Sequence, residues 1–473
     1  MDEDLYDLLW RYSEKSTVMD NFPILADLTE KLIHVYEEQG RLATDPFISS
    51  RERSLMLPFD QIAKVLKDKV CLVTGGLGCV GSNLIQELVM FQPRLIVILD
   101  CNSQDDSKYK IIQDERIVLE RCSITDFSDV SMVFETYQPQ IVFHTAAQRD
   151  PGLAESTIQQ SVQTNVIGTW NMLRVVQKSF SVEQFVFSST GKASRYFTEE
   201  IYAATKKICE MLVDSYSKKC PEKYFSMVRF THIVDNSLMD SELISMAQFG
   251  NHVAIHSPGK FVTAQNAKEA VYLMLNGLIY SESGRSNFLL VKNLEWPVES
   301  LEVALYYIKH FQRKIPIVFT GNPDGYGEKF FRGQLDWSSP GDMNLLINAY
   351  ESRTKRLSES NDFIISSIIP YDQTKLETLI ELLETTTGES ETKEILIGGL
   401  KSIFVYSLSK VEKALTLQIL KWGIDPKFLA ADNTKVKDFG DMVPLMIDSL
   451  IDTPYADELS IVTNQKNYDL FVK

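Results

Sequence analysis

The spacing of apolar positions changes character twice along the chain. Over the first 60 or so residues, Leu5, Leu8, Leu9 and Tyr12, then Leu25, Leu28, Leu32 and Tyr36, recur at helical intervals. This predicts acidic amphipathic helices, an appended segment that caps the main body or a second subunit. From Lys69 the pattern turns to short β-rich apolar runs at 69–74, 94–99, 116–120, 140–144, 184–189 and 226–230, alternating with helical stretches. Such alternation builds a parallel, doubly wound sheet. After Arg229 the order becomes mixed, as in a smaller lobe reaching about residue 340. The remainder is mostly helical in period, for example at Leu376, Leu379, Ile380, Leu382 and Leu383, with a polar break at Thr385-Thr386-Thr387-Gly388.

A length of 473 residues predicts two or three structural units. The 48 Lys and Arg against 64 Asp and Glu give a formal charge of −16, which disfavours nucleic acid or an acidic membrane surface as partner. No apolar run is long enough to cross a bilayer, and Met1-Asp2-Glu3-Asp4 is the opposite of a basic secretory start, so a soluble, cytoplasmic protein with no membrane partner is expected. The six cysteines, at 71, 79, 101, 122, 209 and 220, form no CxxC pair and read as reduced thiols. Neither they nor the six scattered histidines have metal-ligand spacing, so no metal is expected.

The first β-rich run leads into Thr74-Gly75-Gly76-Leu77-Gly78-Cys79-Val80-Gly81 and then a helical stretch. Strand, glycine turn and helix in that order form a dinucleotide loop. Gly75 permits the tight turn, Gly78 lets the backbone approach a pyrophosphate, and Gly81 lets helix and strand pack closely. The helix amino terminus then offers N–H groups to the phosphates. Asp100 ends the second strand about twenty residues on, where a carboxylate accepts from ribose hydroxyls and repels a 2′-phosphate. NAD is therefore favoured, with NADP the alternative. The blander reading of Asp100 is a strand-end cap. Asp126 is either an adenine contact or the N-cap of a helix. The expected class is α/β: a Rossmann doubly wound parallel sheet with a smaller mixed substrate lobe and helical N- and C-terminal extensions. Its expected parts are 1–65, 66–235 for the cofactor domain, 236–340 for the lobe and 341–473.

Ser188-Ser189-Thr190 closes a strand, and Tyr202 and Lys206 follow at i and i+4 on one helix face. A nearby ammonium, with a positive nicotinamide ring, would lower the phenol from its usual pKa near 10 and make it a base. Tyr202 would then take the proton of a substrate hydroxyl, with Thr190 bonding the same oxygen. The YxxxK spacing alone also fits an ordinary amphipathic helix.

These residues resemble the extended short-chain dehydrogenases, and more closely the nucleotide-sugar 4,6-dehydratase branch found among CapD-like polysaccharide-biosynthesis proteins. The likeness spans about 69 to 340. His144-Thr145-Ala146-Ala147-Gln148-Arg149 is similar to that branch's HAAAxK, Thr164-Asn165-Val166-Ile167-Gly168-Thr169 to its TNVxGT, Ser189-Thr190-Gly191-Lys192-Ala193 to its STDKA, and Gly327-Glu328-Lys329 to the GEK of RPGEK. The resemblance implies cofactor contacts from Ala146, Ala147, Asn165 and Lys206. It gives Lys192 the role of removing the C5 proton of the sugar. Arg149, Gly191, His232 and Lys260 fall on the substrate side, although His232 is more often a packed histidine, and Cys79 more simply an apolar filler.

The chain departs from that pattern at Gly191, where an aspartate should protonate the departing C6 hydroxyl. Glu199 and Glu200 are alternative donors that sequence alone cannot position. The RPGEK arginine falls near Gly325, the TRFF arginine aligns poorly with Lys260 or Val262, and the asparagine of RYGNV is lost within Arg229-Phe230-Thr231-His232. Three readings follow. The first is an enzyme oxidising a hydroxyl of a nucleotide sugar or similar polyol, leading to dehydration or epimerisation. The second is a simple dehydrogenase or reductase, and the third a cofactor-binding scaffold. Pairing through helices at about 155–179 and 200–219 predicts a homo-oligomer.

Overall fold

The computed structural model describes residues 4–14, 18–102, 114–236, 238–323 and 327–464, which fall into two compact units. The larger comprises 56–230, 271–292 and 327–473, and the smaller 1–55, 231–270 and 293–326. Gly325 and the acidic start Met1-Asp2-Glu3 lie outside the described residues.

The larger unit is built on a ten-stranded sheet. Its strands are β1 (Val70–Thr74), β2 (Leu95–Leu99), β3 (Ile117–Glu120), β4 (Ile141–His144), β5 (Gln184–Thr190), β6 (Tyr224–Phe230), β7 (Glu282–Ser283), β8 (Ser286–Val291), β9 (Arg356–Leu357) and β10 (Phe363–Ser366). The order is β9-β10-β8-β6-β5-β4-β1-β2-β3, with β7 pairing β6 off that path. From β3 to β8 every neighbour on the path is parallel, and β10 and β9 add antiparallel edges. The central strands are buried on both faces, which is why they read as continuous apolar runs rather than alternating ones. Strand order reverses between β1 and β4, whose ends align as Thr74 opposite His144, while Thr74 also lies opposite Leu99 of β2. The carboxyl edge at such a switch point is where ligands of open α/β sheets bind.

Each unit is assembled from segments far apart in sequence. The helices Leu5–Tyr12 and Phe22–Glu38 share one core with Leu301, Leu305, Ile317 and Phe319 of the smaller unit. A short helix has an apolar stripe but no interior of its own, so it joins the nearest core. In the smaller unit Tyr36 donates to Glu299 Oε2 at 2.9 Å, with the Arg41 guanidinium over its ring. The region after residue 340 likewise contributes β9 and β10 to the main sheet rather than a separate helical part.

Arg229, on β6, is wholly buried. It donates to Glu210 Oε1 and Oε2 at 2.8 and 2.7 Å, to Glu351 Oε1 and Oε2 at 2.7 Å each, and to the carbonyl of Leu346 at 3.0 Å, with its guanidinium over the Phe288 ring. Removing one side of a buried ion pair costs about 3–5 kcal/mol, whereas replacing the whole set by apolar groups is often neutral. Arg229→Met should therefore lower the urea-unfolding free energy by at least about 3 kcal/mol. Combining it with Glu210→Leu and Glu351→Leu should recover most of that loss, and a single variant as stable as the parent would exclude this account.

Candidate active site

The loop after β1 is shaped by backbone contacts. Gly75 has φ +65°, and a Cβ there would lie 2.7 Å from Ala146 Cα. A Cβ on Gly81 would overlap the Gly75 carbonyl oxygen and lie 2.7 Å from Gly76 Cα, so this glycine lets the helix Cys79–Met90 sit against the loop itself. Gly76, which sequence reading passed over, is confined by Ile98 and Ile85 at 2.7 and 2.9 Å. At Gly78 a Cβ would meet only the Gly75 carbonyl, at 3.1 Å, and nothing else within 4 Å. Gly78 also brings no capping side chain to the helix, whose first-turn amides have no acceptor within the helix. An open backbone cradle at a helix start fits the pyrophosphate of a dinucleotide.

Asp100 anchors that loop. Its Oδ2 accepts from the Leu77 amide at 2.9 Å and its Oδ1 from the Asn102 amide at 2.9 Å. The strand-end cap is thus realised, and each oxygen retains further acceptor capacity. Asp126 is the N-cap of the helix Phe127–Tyr137, with Oδ1 accepting from Ser128 and Asp129 at 2.9 and 3.0 Å. Cys79 is buried and its carbonyl accepts from Ser82 and Asn83, while Val80 follows it in the first helical turn.

Thr74 and the end of β4 are joined by side chains. The Thr74 hydroxyl bonds His144 Nδ1 at 2.6 Å and accepts from the Ala146 amide at 3.2 Å, and His144 Nε2 meets Thr169 Oγ1 at 3.0 Å. Burial, with a smaller push from the Lys206 ammonium, drops His144 to about 3, so this imidazole is a neutral brace. Ala147 continues the segment to Gln148, whose amide donates to Asn165 Oδ1 at 2.8 Å. Asn165 Nδ2 donates to the Gln148 carbonyl and to Thr205, each at 3.0 Å. Asn165 sits in a π-helical turn, Gln163–Ile167, a local widening frequent at functional sites.

Thr190 ends β5, and Tyr202 and Lys206 lie on the helix Ile201–Lys219. Thr190 and the exposed Arg149 both act to lower the Tyr202 phenol. Burial nonetheless pushes the phenol up to about 12, against the lowering by Thr190 and Arg149. In the chain by itself, desolvation outweighs the local field; the lowering expected from the sequence joined the ammonium to the positive nicotinamide ring. Lys206 Nζ donates to the Ser188 carbonyl at 2.9 Å above the Phe187 ring, and burial drops it to about 8. Its neighbour Lys207 donates to the carbonyls of Ala193 and Arg195 at 3.1 and 2.7 Å and is also brought to about 8 by burial.

Lys192 forms an ion pair with Glu200, and burial is the main cause of its lowered pKa. Arg195 bridges Glu200 and Glu328 at 2.7 and 2.6 Å, and Thr198 also donates to Glu328 at 2.6 Å. Burial chiefly raises Glu328. Of the two candidate donors, Glu200 is thus against Lys192, whereas Glu199 is exposed. Gly191 is closed: a Cβ there would overlap Leu346 Cδ2, with Cγ at 3.1 Å. Arg195, Glu328 and Lys207 were missed as partners because their contacts depend on the turn Gly191–Ser194, which periodicity does not reveal. His232 and Lys260 belong to the smaller unit, where His232 stacks on Phe47 with centroids 6.3 Å apart and the Lys260 carbonyl accepts from Ser300. Among the described residues no cluster of three metal-ligating groups occurs, and no helix is long and apolar enough to cross a membrane.

A doubly wound sheet, a glycine cradle and a Thr-Tyr-Lys set at its carboxyl edge define the extended short-chain dehydrogenase class. The chain belongs to the family described as polysaccharide biosynthesis protein, whose model matches residues 71–332. It is 30% identical to an uncharacterized membrane protein of Methanocaldococcus jannaschii over 230 residues, covering 48% of this chain and 68% of that protein. It is 25% identical to the probable polysaccharide biosynthesis protein EpsC of Bacillus subtilis and 24% identical to the capsular polysaccharide biosynthesis protein CapD of Staphylococcus aureus, each over 60% of this chain. The matches cover 48% and 51% of those two proteins, so the chain spans about half their length. Two solved structures share the fold: Pen from Bacillus thuringiensis, with TM-score 0.54, 21% identity and coverage of 64% of this chain and 87% of that one, and an epimerase from Methanothermobacter thermautotrophicus, with 0.51, 22%, 57% and 85%.

Two outcomes follow from the geometry. Gly191→Ala should cost about 1–3 kcal/mol by overpacking, and Leu346→Ala introduced with it should make the pair less destabilised than the sum of the single variants, measured by urea unfolding. Lys206 and Lys207 titrate near 8 in the folded chain and near ~10.4 unfolded. The folded state binds fewer protons between those values, so stability rises with pH there and the penalty is fully present below about 8. A Lys206→Met/Lys207→Met double variant should flatten that rise, and an unchanged slope would rule it out.

Proposed function

We propose that the chain is an NAD(P)-dependent enzyme that oxidises a hydroxyl of a nucleotide sugar or similar polyol, as the opening step of a dehydration or epimerisation. The observation carrying this reading is Thr190 at the end of β5, with Tyr202 and Lys206 one turn apart on the helix Ile201–Lys219, on the same larger unit as the open glycine cradle. The residues that would hold the cofactor are Thr74, Gly75, Gly78, Cys79, Val80 and Gly81 in the loop, with Asp100, Asp126, Ala146, Ala147, Asn165 and Lys206. The carboxylate of Asp100 favours NAD over NADP, because a 2′-phosphate beside it would be repelled. Bound, the cofactor supplies the acceptor and then the donor of a hydride.

The chain's own residues handle protons. Tyr202 takes the proton of the substrate hydroxyl while Thr190 holds the same oxygen, and Arg149 stabilises the phenolate that appears. Since burial raises the phenol, a second positive charge near Tyr202 is required before it acts as a base at neutral pH. Lys192 first passes its ion-pair proton to Glu200 and then, as the neutral amine, takes a proton from the carbon next to the oxidised centre. Glu200, now a carboxylic acid, gives its proton to the departing hydroxyl in place of an acid at Gly191.

One observation favours a second reading. Leu346 fills the space beside Gly191 where the branch carries its acid, which suits a dehydrogenase or reductase without elimination. Net change in free cofactor during turnover separates it from an internally redox-neutral reaction.

Native mass spectrometry followed by denaturing release should yield one nicotinamide dinucleotide per chain. Tyr202→Phe should keep that dinucleotide yet lose about 10²–10⁴-fold in turnover on a panel of UDP- and dTDP-sugars. A parent protein that binds neither NAD(H) nor NADP(H) would refute the proposal.

A further inference from the structure

The helix that carries Tyr202 and Lys206 is buried around its whole circumference, with 16 of the 19 positions of Ile201–Lys219 buried. One side is accounted for by the sheet, where Lys206 meets the Ser188 carbonyl and Glu210 meets Ser189 and Arg229. Helical segments within 151–178 flank the helix, and two helices from the C-terminal part of the chain, Gln373–Thr385 and Glu389–Lys410, also pack on it. These cross closely where a Cβ on Gly399 would overlap Leu379. Leu376, Leu379, Ile380 and Leu383 of the first and Leu396, Leu400, Ile403 and Phe404 of the second are buried.

One ring stack and several polar contacts fix the register of this layer. Phe404 stacks on Phe197 at 6.1 Å, Tyr371 donates to Asp214 at 2.9 Å, and Lys219 pairs with Glu377 at 2.8 Å. Glu155 accepts the first amide of the Tyr202 helix through Oε1 at 2.8 Å and Lys393 through Oε2 at 3.3 Å. On the neighbouring helical stretch, the Gln159 amide donates to Glu389, Gln163 donates to the Leu383 carbonyl, and Arg174 lies 3.8 Å from Glu384. Both helical stretches at which self-association was expected are therefore occupied by the same chain.

We propose that the C-terminal helix pair stands in for a second subunit, clamping the Tyr202 helix from within the chain and removing that face from self-association. A tethered segment acts at an effective concentration on the order of millimolar, so a second copy of the chain does not displace it at ordinary protein concentrations. The covering layer also makes the helix a rigid support for its two polar side chains, independent of protein concentration.

Hydrogen–deuterium exchange on the intact protein, recorded from high to low concentration beside sedimentation equilibrium, tests this. The expected result is strong protection of amides 205–217 that does not change on dilution, whether the protein sediments as one chain or associates through another face. Protection that falls as a dimer dissociates overturns the proposal. So does a monomer in which these amides exchange freely, because the clamp would then not be seated.

Discussion

A single guanidinium ties together three parts of the larger unit that are far apart in sequence. Arg229 sits on β6, Glu210 on the helix that carries Tyr202 and Lys206, and Glu351 in a 3₁₀ turn well beyond it, and all three are buried. A charge taken out of water is tolerable only with well-oriented partners. Two bidentate carboxylates and one carbonyl meet that demand and leave little freedom in how the helix, the strand and the turn are arranged. Because the same guanidinium holds the Leu346 carbonyl, the segment that closes Gly191 is positioned by the ion cluster rather than by packing alone.

That cluster reaches the neighbouring lysines. Burial lowers Lys206 and Lys207, partly offset by Glu351 at Lys207 and to a lesser degree by Glu210 at both, and the balance leaves each near 8. Lys206 in turn helps keep His144 neutral. The ionisable groups around the end of β5 are therefore coupled through distance and burial. Lys207 spends its charge on the carbonyls of Ala193 and Arg195, which hold the turn that presents Lys192.

Much of this was legible in the sequence wherever the signal is local. The six β-rich runs became β1 to β6 because strands buried on both faces must be apolar throughout, and the glycines at 75 and 81 mark places where a Cβ cannot fit. Asp126 as an N-cap was equally readable. Contacts between distant segments were not. Nothing near Gly191 announces Leu346, about 150 residues on, and nothing in the amphipathic stripe of Phe22–Glu38 says that it completes a core with Leu305 and Ile317. Leu382 shows the same limit in miniature: it fits the helical period with Leu379 and Leu383, yet it lies on the exposed edge of its helix.

The exchange at Gly191 changes the electrostatics of its whole corner. An acid at the strand end would offer Lys192 a partner on the sheet side, but Leu346 makes that side apolar and raises the cost of an unpaired ammonium there. Lys192 turns instead to Glu200, and Arg195 joins Glu200 to Glu328, so two cations face two carboxylates. That balance of charge makes proton movement among them cheaper than movement of net charge into the corner. On the proposed reading, the loss of one acid is then a relocation of proton-carrying capacity from the end of β5 to the cap of the next helix, with the lysine common to both arrangements.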